Sequence, residues 1–291
     1  MSNRLPPTPA PRDFTVMGIV NVTPDSFSDG GLYLDARMAI DQGVALESEG
    51  AAILDVGGQS TRPGAQPVGV DEELRRVLPV VQGLIAAGVR AQISVDTSKS
   101  AVADAALSAG ATFVNDVTAL RGDRAMAQTI AQHGADCCLM HMLGEPRTMQ
   151  RDPRYAEVVS DVKAFLAQRM TFAVAAGIPE ERIMLDPGIG FGKTLEHNLE
   201  LLRRLDELAA LGRPLVFGAS RKSFLGRITG NPVDDRVAAT VAVNVLAYER
   251  GARVFRVHDA GPTHDALAIA AATVLAPWPR TTPTNTTMST T

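Results

Sequence analysis

The chain has 291 residues, 45% hydrophobic but only 4% aromatic, with 25 glycines and 18 prolines. This aliphatic make-up suits strands packed against Ala- and Leu-rich helices, in one α/β barrel or two small domains. The formal net charge of -4 argues against a broad nucleic-acid surface but is compatible with one local anion site.

No apolar run reaches the roughly 18 residues of a membrane span. The opening MSNRLPPTPAPRD lacks the apolar segment of a secretory signal, so a reducing, cytoplasmic setting is expected. Residues 1–13 read as a flexible arm, 14–276 as one domain, and 277–291 as a disordered low-complexity tail.

Within the domain a short aliphatic run followed by a helical pattern recurs eight times. Strands are expected at 15–20, 52–56, 91–95, 112–114, 136–140, 182–185, 214–217 and 253–257. Their β-branched members and flanking turns fit fully buried parallel strands. Helices are expected at 36–49, 71–87, 99–109, 124–133, 154–176, 195–211, 234–250 and 264–275. In the sixth, Leu195, Leu199, Leu202, Leu205 and Leu208 make an amphipathic stripe. Cys137 and Cys138 are adjacent, so on a strand they point to opposite faces and cannot act as a CxxC pair. Eight such units without a break predict a closed TIM barrel, (β/α)8. A doubly wound open sheet would need a glycine-rich phosphate fingerprint after an early strand, and the sequence has none.

Polar residues gather where the strands end. The first strand ends at Asn21. The second carries Asp55 and opens into GGQSTRPG at 57–64. Asp96, Asn115-Asp116, His141 and Asp186 follow, then SRKS at 220–223, and finally Arg256 with His258-Asp259. In a closed barrel all would meet at the C-terminal mouth, where βα loops build active sites. Each has a plain structural reading too. Asp96, Asn115 or Asp116 could cap the next helix, His141 could be a buried core or rim histidine, and Arg62 could be a surface cation. Chance capping does not explain why the pattern holds at all eight strand ends while the opposite junctions carry mainly glycine and alanine.

Asp96, Asn115 and Asp186 offer acceptors and an amide for a flat heterocycle bearing N–H and NH2 groups, with Lys222 available to a ring carbonyl. Arg62, Arg256 and His258 offer local cations for a polyphosphate or a leaving pyrophosphate. Asn21 beside such an anion is a candidate Mg2+ ligand through its amide oxygen. Two other motifs fail. DPGIGFGKT at 186–194 ends like a phosphate-binding P-loop, but Pro187 stands where the first glycine is required. Lys222 beside Arg221 suggests a Schiff-base lysine, but the sequence identifies no carboxylate partner for one.

Long stretches carry a resemblance: MGIVNVTPDSFSDGG at 17–31, LDVGGQSTRPGA at 54–65, ISVDTSKS at 93–100, FVNDVTA at 113–119, MHMLGEPRTMQ at 140–150, LDPGIGFGKTLEHNLELLRRL at 185–205, SRKSFLG at 220–226 and RVHD at 256–259. In these segments, and in their order, the chain resembles the bacterial dihydropteroate synthases. The resemblance implies a TIM barrel, usually a homodimer. The implied reaction joins 6-hydroxymethyl-7,8-dihydropterin pyrophosphate to 4-aminobenzoate with Mg2+, giving 7,8-dihydropteroate and pyrophosphate.

By matched motif, the resemblance makes Asp96, Asn115, Asp186 and Lys222 pterin-ring contacts and Asn21 the metal and pyrophosphate residue. Arg256 and His258 become phosphate anchors that complete the expected catalytic set. Thr61 and Arg62 fall on the mobile loop beside the aminobenzoate, where Arg62 can also reach the pyrophosphate. Ser223 falls near the aminobenzoate carboxylate, and Phe191 and Pro63 against its ring. The sequence departs at Gln59, where the family usually has glutamate, and at Leu143 and Glu145, where it usually has Gln and Thr. An amide at 59 would orient Arg62 or another loop partner more weakly. These changes leave the sulfonamide response open, a sulfonamide-tolerant copy included. The alternatives are a pterin-binding methyltransferase domain, which would need a corrinoid partner, and a non-catalytic pterin-binding homologue.

Overall fold

The computed structural model describes residues 13–22, 32–61 and 64–275. The expected arm (apart from Asp13), the expected tail, the loop at 23–31, and Arg62 and Pro63 lie outside these residues.

The eight aliphatic runs form β1 (Thr15–Asn21), β2 (Ile53–Gly57), β3 (Gln92–Asp96), β4 (Phe113–Asp116), β5 (Asp136–Met140), β6 (Ile183–Asp186), β7 (Leu215–Phe217) and β8 (Ala252–Val257). Each pairs in parallel with the next, and β8 closes on β1, giving the closed barrel that the repeat predicts. Around it lie α1 (Leu32–Ser48), α2 (Val70–Ala86), α3 (Ser100–Ser108), α4 (Met126–His133), α5 (Val158–Ala175), α6 (Leu195–Arg203), α7 (Leu205–Ala209), α8 (Ser223–Thr229), α9 (Val237–Glu249) and α10 (Ala260–Leu275).

Strand side chains alternate with period two, and that alternation divides the core. Leu54, Val56, Ile93, Val95, Val114, Cys137, Leu139, Phe217 and Phe255 pack outward in the main strand–helix cluster. Met17, Ile53, Phe113, Cys138, Met184, Val216 and Val254 form a separate plug inside the barrel. One pleat nearer the mouth from this plug, the same inward face carries Asp55 after Ile53, Asn115 after Phe113, Asp186 after Met184 and Arg256 after Val254. The plug is therefore the floor of the polar mouth. The two cysteines lie on opposite sides of β5, as expected. Burial pushes the Cys137 thiol up to about 12 and the Cys138 thiol well above its ordinary value, so neither supplies a thiolate.

Several helix limits differ from the sequence expectation for identifiable reasons. The sixth helical pattern divides at Arg204, whose guanidinium is drawn to Glu207, Glu157 and Glu200. Its stripe is nevertheless kept, with Leu202, Leu205 and Leu208 buried. α5 begins at Val158 rather than 154 because the Glu157 carboxylate accepts Val159 N and Ser160 N, a side-chain cap. α10 begins at Ala260, ahead of Pro262, because proline in a first helical turn sacrifices no intrahelical bond. The seven-residue α8, closed by Gly230 at φ 79, is too short for its periodicity to register.

Candidate active site

Asp55 holds the floor of the mouth together. It is 0% exposed, and its carboxylate accepts from three other strands: Ser94 Oγ at 2.6 Å, Asn115 Nδ2 at 2.9 Å and Arg256 Nε at 2.6 Å. An ionised carboxylate only accepts, so the Asn115 amide must turn its NH2 toward Asp55, which leaves its Oδ1 for other partners. Arg256 also donates from its NH2 group to Asp96 Oδ2 at 2.7 Å. Asp96 and Asn115 are register partners on β3 and β4. Both carboxylates hold the guanidinium above its ordinary pKa, Asp55 more than Asp96, against the opposing effect of burial.

Burial lifts Asp96 to about 7, against the pull of Arg256 and with Asp55 adding to the rise. Burial likewise raises Asp186, opposed by Lys222 and by the Gly188 N–H that its Oδ1 accepts at 2.6 Å. Lys222 is pushed down to about 8 by burial, with Asp186 opposing, so it remains mainly protonated at neutral pH. Its Nζ donates to Ile189 O and lies 4.5 Å from the centre of the half-buried Phe191 ring. Arg221, at φ 55, is held outward by a two-pronged pair with Asp259, at 3.0 and 2.5 Å. The neighbouring Asp186 is the carboxylate that the sequence reading could not assign to Lys222. As a protonated amine that spends one N–H on the Ile189 carbonyl, Lys222 keeps further donors for a ring carbonyl but lacks the free lone pair that a Schiff base needs.

On the anion side, His258 Nδ1 is 2.9 Å from Ser220 Oγ. Asn21 ends β1, half-buried and in register with Gly57, the neighbour of Asp96 in the next pair. Thr61 is half-buried at the last described position of its loop segment, and Ser223 is exposed at the start of α8. Arg62 and Pro63, expected beside them, lie outside the described residues.

The capping alternative holds for neither aspartate. Asp116 caps no helix but ties the turn that follows β4, accepting Thr118 N and Leu120 N at 2.8 Å each, while α4 starts only at Met126 without a side-chain cap. Asp96 caps none either, since Asp123 serves the first turn of α3 at Ser100 and Asp96 faces Arg256. His141 matches the buried-histidine reading, 5% exposed with Nδ1 2.9 Å from Lys193 Nζ. Gln59 accepts from Lys99 Nζ at 2.6 Å and from Val68 N, on its own loop, at 3.2 Å, while Arg62, its other expected partner, lies outside the described residues. Sequence reasoning left Asp55 without a role. A carboxylate in the middle of a fully buried strand, on the same face as an apolar floor residue, was the available signal.

The pattern of the pterin binding enzyme family matches residues 17–258. The dihydropteroate synthase of Escherichia coli is 44% identical over 261 residues, covering 90% of this chain and 92% of that protein. That of Mycobacterium leprae is 46% identical over 265 residues, covering 88% and 92%. Among solved structures, Xanthomonas albilineans dihydropteroate synthase with 4-aminobenzoic acid superposes with a TM-score of 0.85 at 46% identity, over 90% of this chain and 94% of that one. The Yersinia pestis dihydropteroate synthase in complex with a sulfonamide drug gives 0.85 at 44% identity over the same shares. The chain belongs to the pterin-binding enzymes and, among them, to the dihydropteroate synthases.

Proposed function

We propose that the barrel mouth carries out the dihydropteroate synthase reaction. The methylene carbon of 6-hydroxymethyl-7,8-dihydropterin pyrophosphate passes to the amine of 4-aminobenzoate, giving 7,8-dihydropteroate and pyrophosphate. One observation carries this reading. Asp96, Asn115, Asp186 and Lys222, which we read as the heterocycle contacts, share one barrel mouth with Arg256 and His258, which we read as the anion contacts, and Arg256 is bonded to Asp96. Relatives of the same fold have been solved with 4-aminobenzoic acid and with 7,8-dihydropteroate, which supports the choice of substrates.

The C–O bond to pyrophosphate breaks first, and the electron-rich pterin spreads the positive charge left on the methylene. Asp96 stabilises that charge through the ring, Asn115 and Asp186 accept ring N–H groups, and Lys222 donates to the ring carbonyl. Arg256 and His258 offset the charge growing on the leaving group. The aniline-type amine is unprotonated at neutral pH and attacks without a strong base. The resemblance implies Phe191 and Pro63 as contacts to its ring, Ser223 toward its carboxylate, and Thr61 and Arg62 on the loop beside it, with Arg62 also able to reach the departing anion.

Among the described residues no cluster of three His, Cys, Asp or Glu could cage a metal. A single amide oxygen from Asn21 fits Mg2+, which keeps several waters and takes phosphate oxygens as ligands. When bound there, Mg2+ would neutralise pyrophosphate charge.

We read the protein as a cytoplasmic homodimer acting on small molecules, with neither nucleic acid nor membrane as a partner. No described helix is long and apolar enough to cross a membrane. Ile269 on α10 is 70% exposed and Leu246 on α9 is 41% exposed, on adjacent outer helices, and a second copy would cover them. Sedimentation should give twice the chain mass, and a monomer at micromolar concentration contradicts this part of the reading.

Mass spectrometry of a reaction holding both substrates and Mg2+ tests the chemistry. The expected product is 7,8-dihydropteroate. Pterin binding without product would instead indicate a non-catalytic homologue, and turnover only with a corrinoid methyl carrier would indicate a methyltransferase.

A further inference from the structure

Several amides of the glycine-rich segment 187–194 are already spent inside the protein. Gly188 N donates to Asp186 Oδ1 at 2.6 Å, Gly190 N to Asn198 Oδ1 at 2.7 Å, and Phe191 N to Gly188 O at 3.0 Å. Its carbonyls are held by donors from elsewhere or from its own end: Ile189 O by Lys222, Gly190 O by Gln150, Gly192 O by Tyr155 at 2.7 Å, and Phe191 O by Lys193 at 3.0 Å.

Lys193 is the residue a P-loop would aim at phosphate, yet here it is 3% exposed and turned inward. It has no ion-pair partner among the described residues. Its amine instead faces three acceptors, Phe191 O, His141 Nδ1 at 2.9 Å and His141 O at 3.5 Å. His141 is fixed in turn, with its ring edge-to-face against Phe165 at 4.8 Å. Burial, then Lys193 and Arg121, press its pKa down to about 2, so the ring is neutral and Nδ1 is free to accept. The close approach of the two loops requires Gly188 at φ 66, because a Cβ there would lie 1.9 Å from His141 O.

An apolar side chain of the same length would fill this space without desolvating an amine. What the amine adds is direction. It ties the Phe191 backbone to the end of β5, and thereby sets how the Phe191 ring stands under Lys222. We infer that Lys193, anchored on His141, is a positioning residue that fixes Phe191 for the aminobenzoate. The inference rests on the reading above that Phe191 contacts the ring of the amine.

Steady-state kinetics and pterin titration of single variants test it. Burial pushes the Lys193 amine well below its ordinary pKa, so Lys193→Met should raise the KM for 4-aminobenzoate by about three- to tenfold, the loss expected for one buried hydrogen bond. Affinity for the pterin pyrophosphate should change far less than the amine KM, because Asp96 and Asn115 keep their own partners and Lys222 keeps its bond to Ile189 O. A merely structural lysine would lower the melting temperature and the active fraction while leaving that KM unchanged, and this result overturns the inference. His141→Phe, which keeps the ring packing and removes the acceptor, should reproduce the KM shift. His141→Asn, which keeps an acceptor near the Nδ1 position, should retain most of the wild-type value. These two variants decide the matter if Lys193→Met does not fold. Phe191→Ala tells whether the Phe191 ring touches the amine at all. An unchanged amine KM in that variant overturns the Phe191 reading and the inference with it. A shift there, with none in Lys193→Met or His141→Phe, overturns the Lys193 role alone.

Discussion

Replacing Asp96 by asparagine keeps the side chain's shape and removes its charge, and the structure sets opposite signs for its effects on rate and stability. Arg256 keeps its 2.6 Å bond to Asp55 and loses a charged partner at 2.7 Å, so the floor of the mouth stays assembled. One preorganised charged contact contributes about 2–4 kcal/mol to a transition state, a fall of about 30- to 1000-fold in turnover. Stability moves the other way at higher pH. Asp96 is lifted from 3.8 to about 7 chiefly by burial, so between those values the folded protein holds a proton that the unfolded chain has released. Its contribution to stability is full below about pH 3.8 and is lost as the pH rises through about 7. A rise of that size corresponds to at most about 4 kcal/mol, and asparagine lacks it entirely. The melting temperature of the variant relative to wild type should therefore climb between pH 5 and pH 8. Pyrophosphate release and thermal melts across that range measure both effects. Wild-type turnover, or a melting difference that does not change with pH, refutes the reasoning.

The pH profile of kcat/KM for the pterin pyrophosphate should rise through about 7 as Asp96 ionises and fall above about 8 as Lys222 loses its proton. Asp96→Asn should lose the rising limb and Lys222→Met the falling one. Arg256→Ala should lose turnover and also about 3–5 kcal/mol of stability, because it strands the fully buried Asp55, a drop that urea denaturation would register. Chelation should stop pyrophosphate release until Mg2+ is restored. The melting temperature of the ligand-free protein should not move, since among the described residues none forms a metal cage.

The barrel was legible because eight aliphatic runs and the glycines after the helices repeat one unit, and a parallel strand buried on both faces declares itself by composition alone. The mouth was legible because Asp96, Asn115, Asp186 and Arg256 each follow a buried run by a fixed step. Partner choice was not. Asp96 and Asp116 end adjacent strands with the same residue type, yet one faces Arg256 inside the barrel and the other ties its own turn. Only the strand register and the pleat decide which. Lys193 escaped for a related reason: sequence excluded a phosphate role through Pro187, but its three acceptors come together only when the ends of β5 and β6 meet.

Coupled pyrophosphate release from the pterin pyrophosphate with Mg2+, measured with and without 4-aminobenzoate, decides whether the barrel mouth joins the two substrates. Sustained release that depends on the amine is expected, with one 7,8-dihydropteroate formed per pyrophosphate. Release that ignores the amine, or no release from folded protein that binds the pterin, contradicts the proposed reaction.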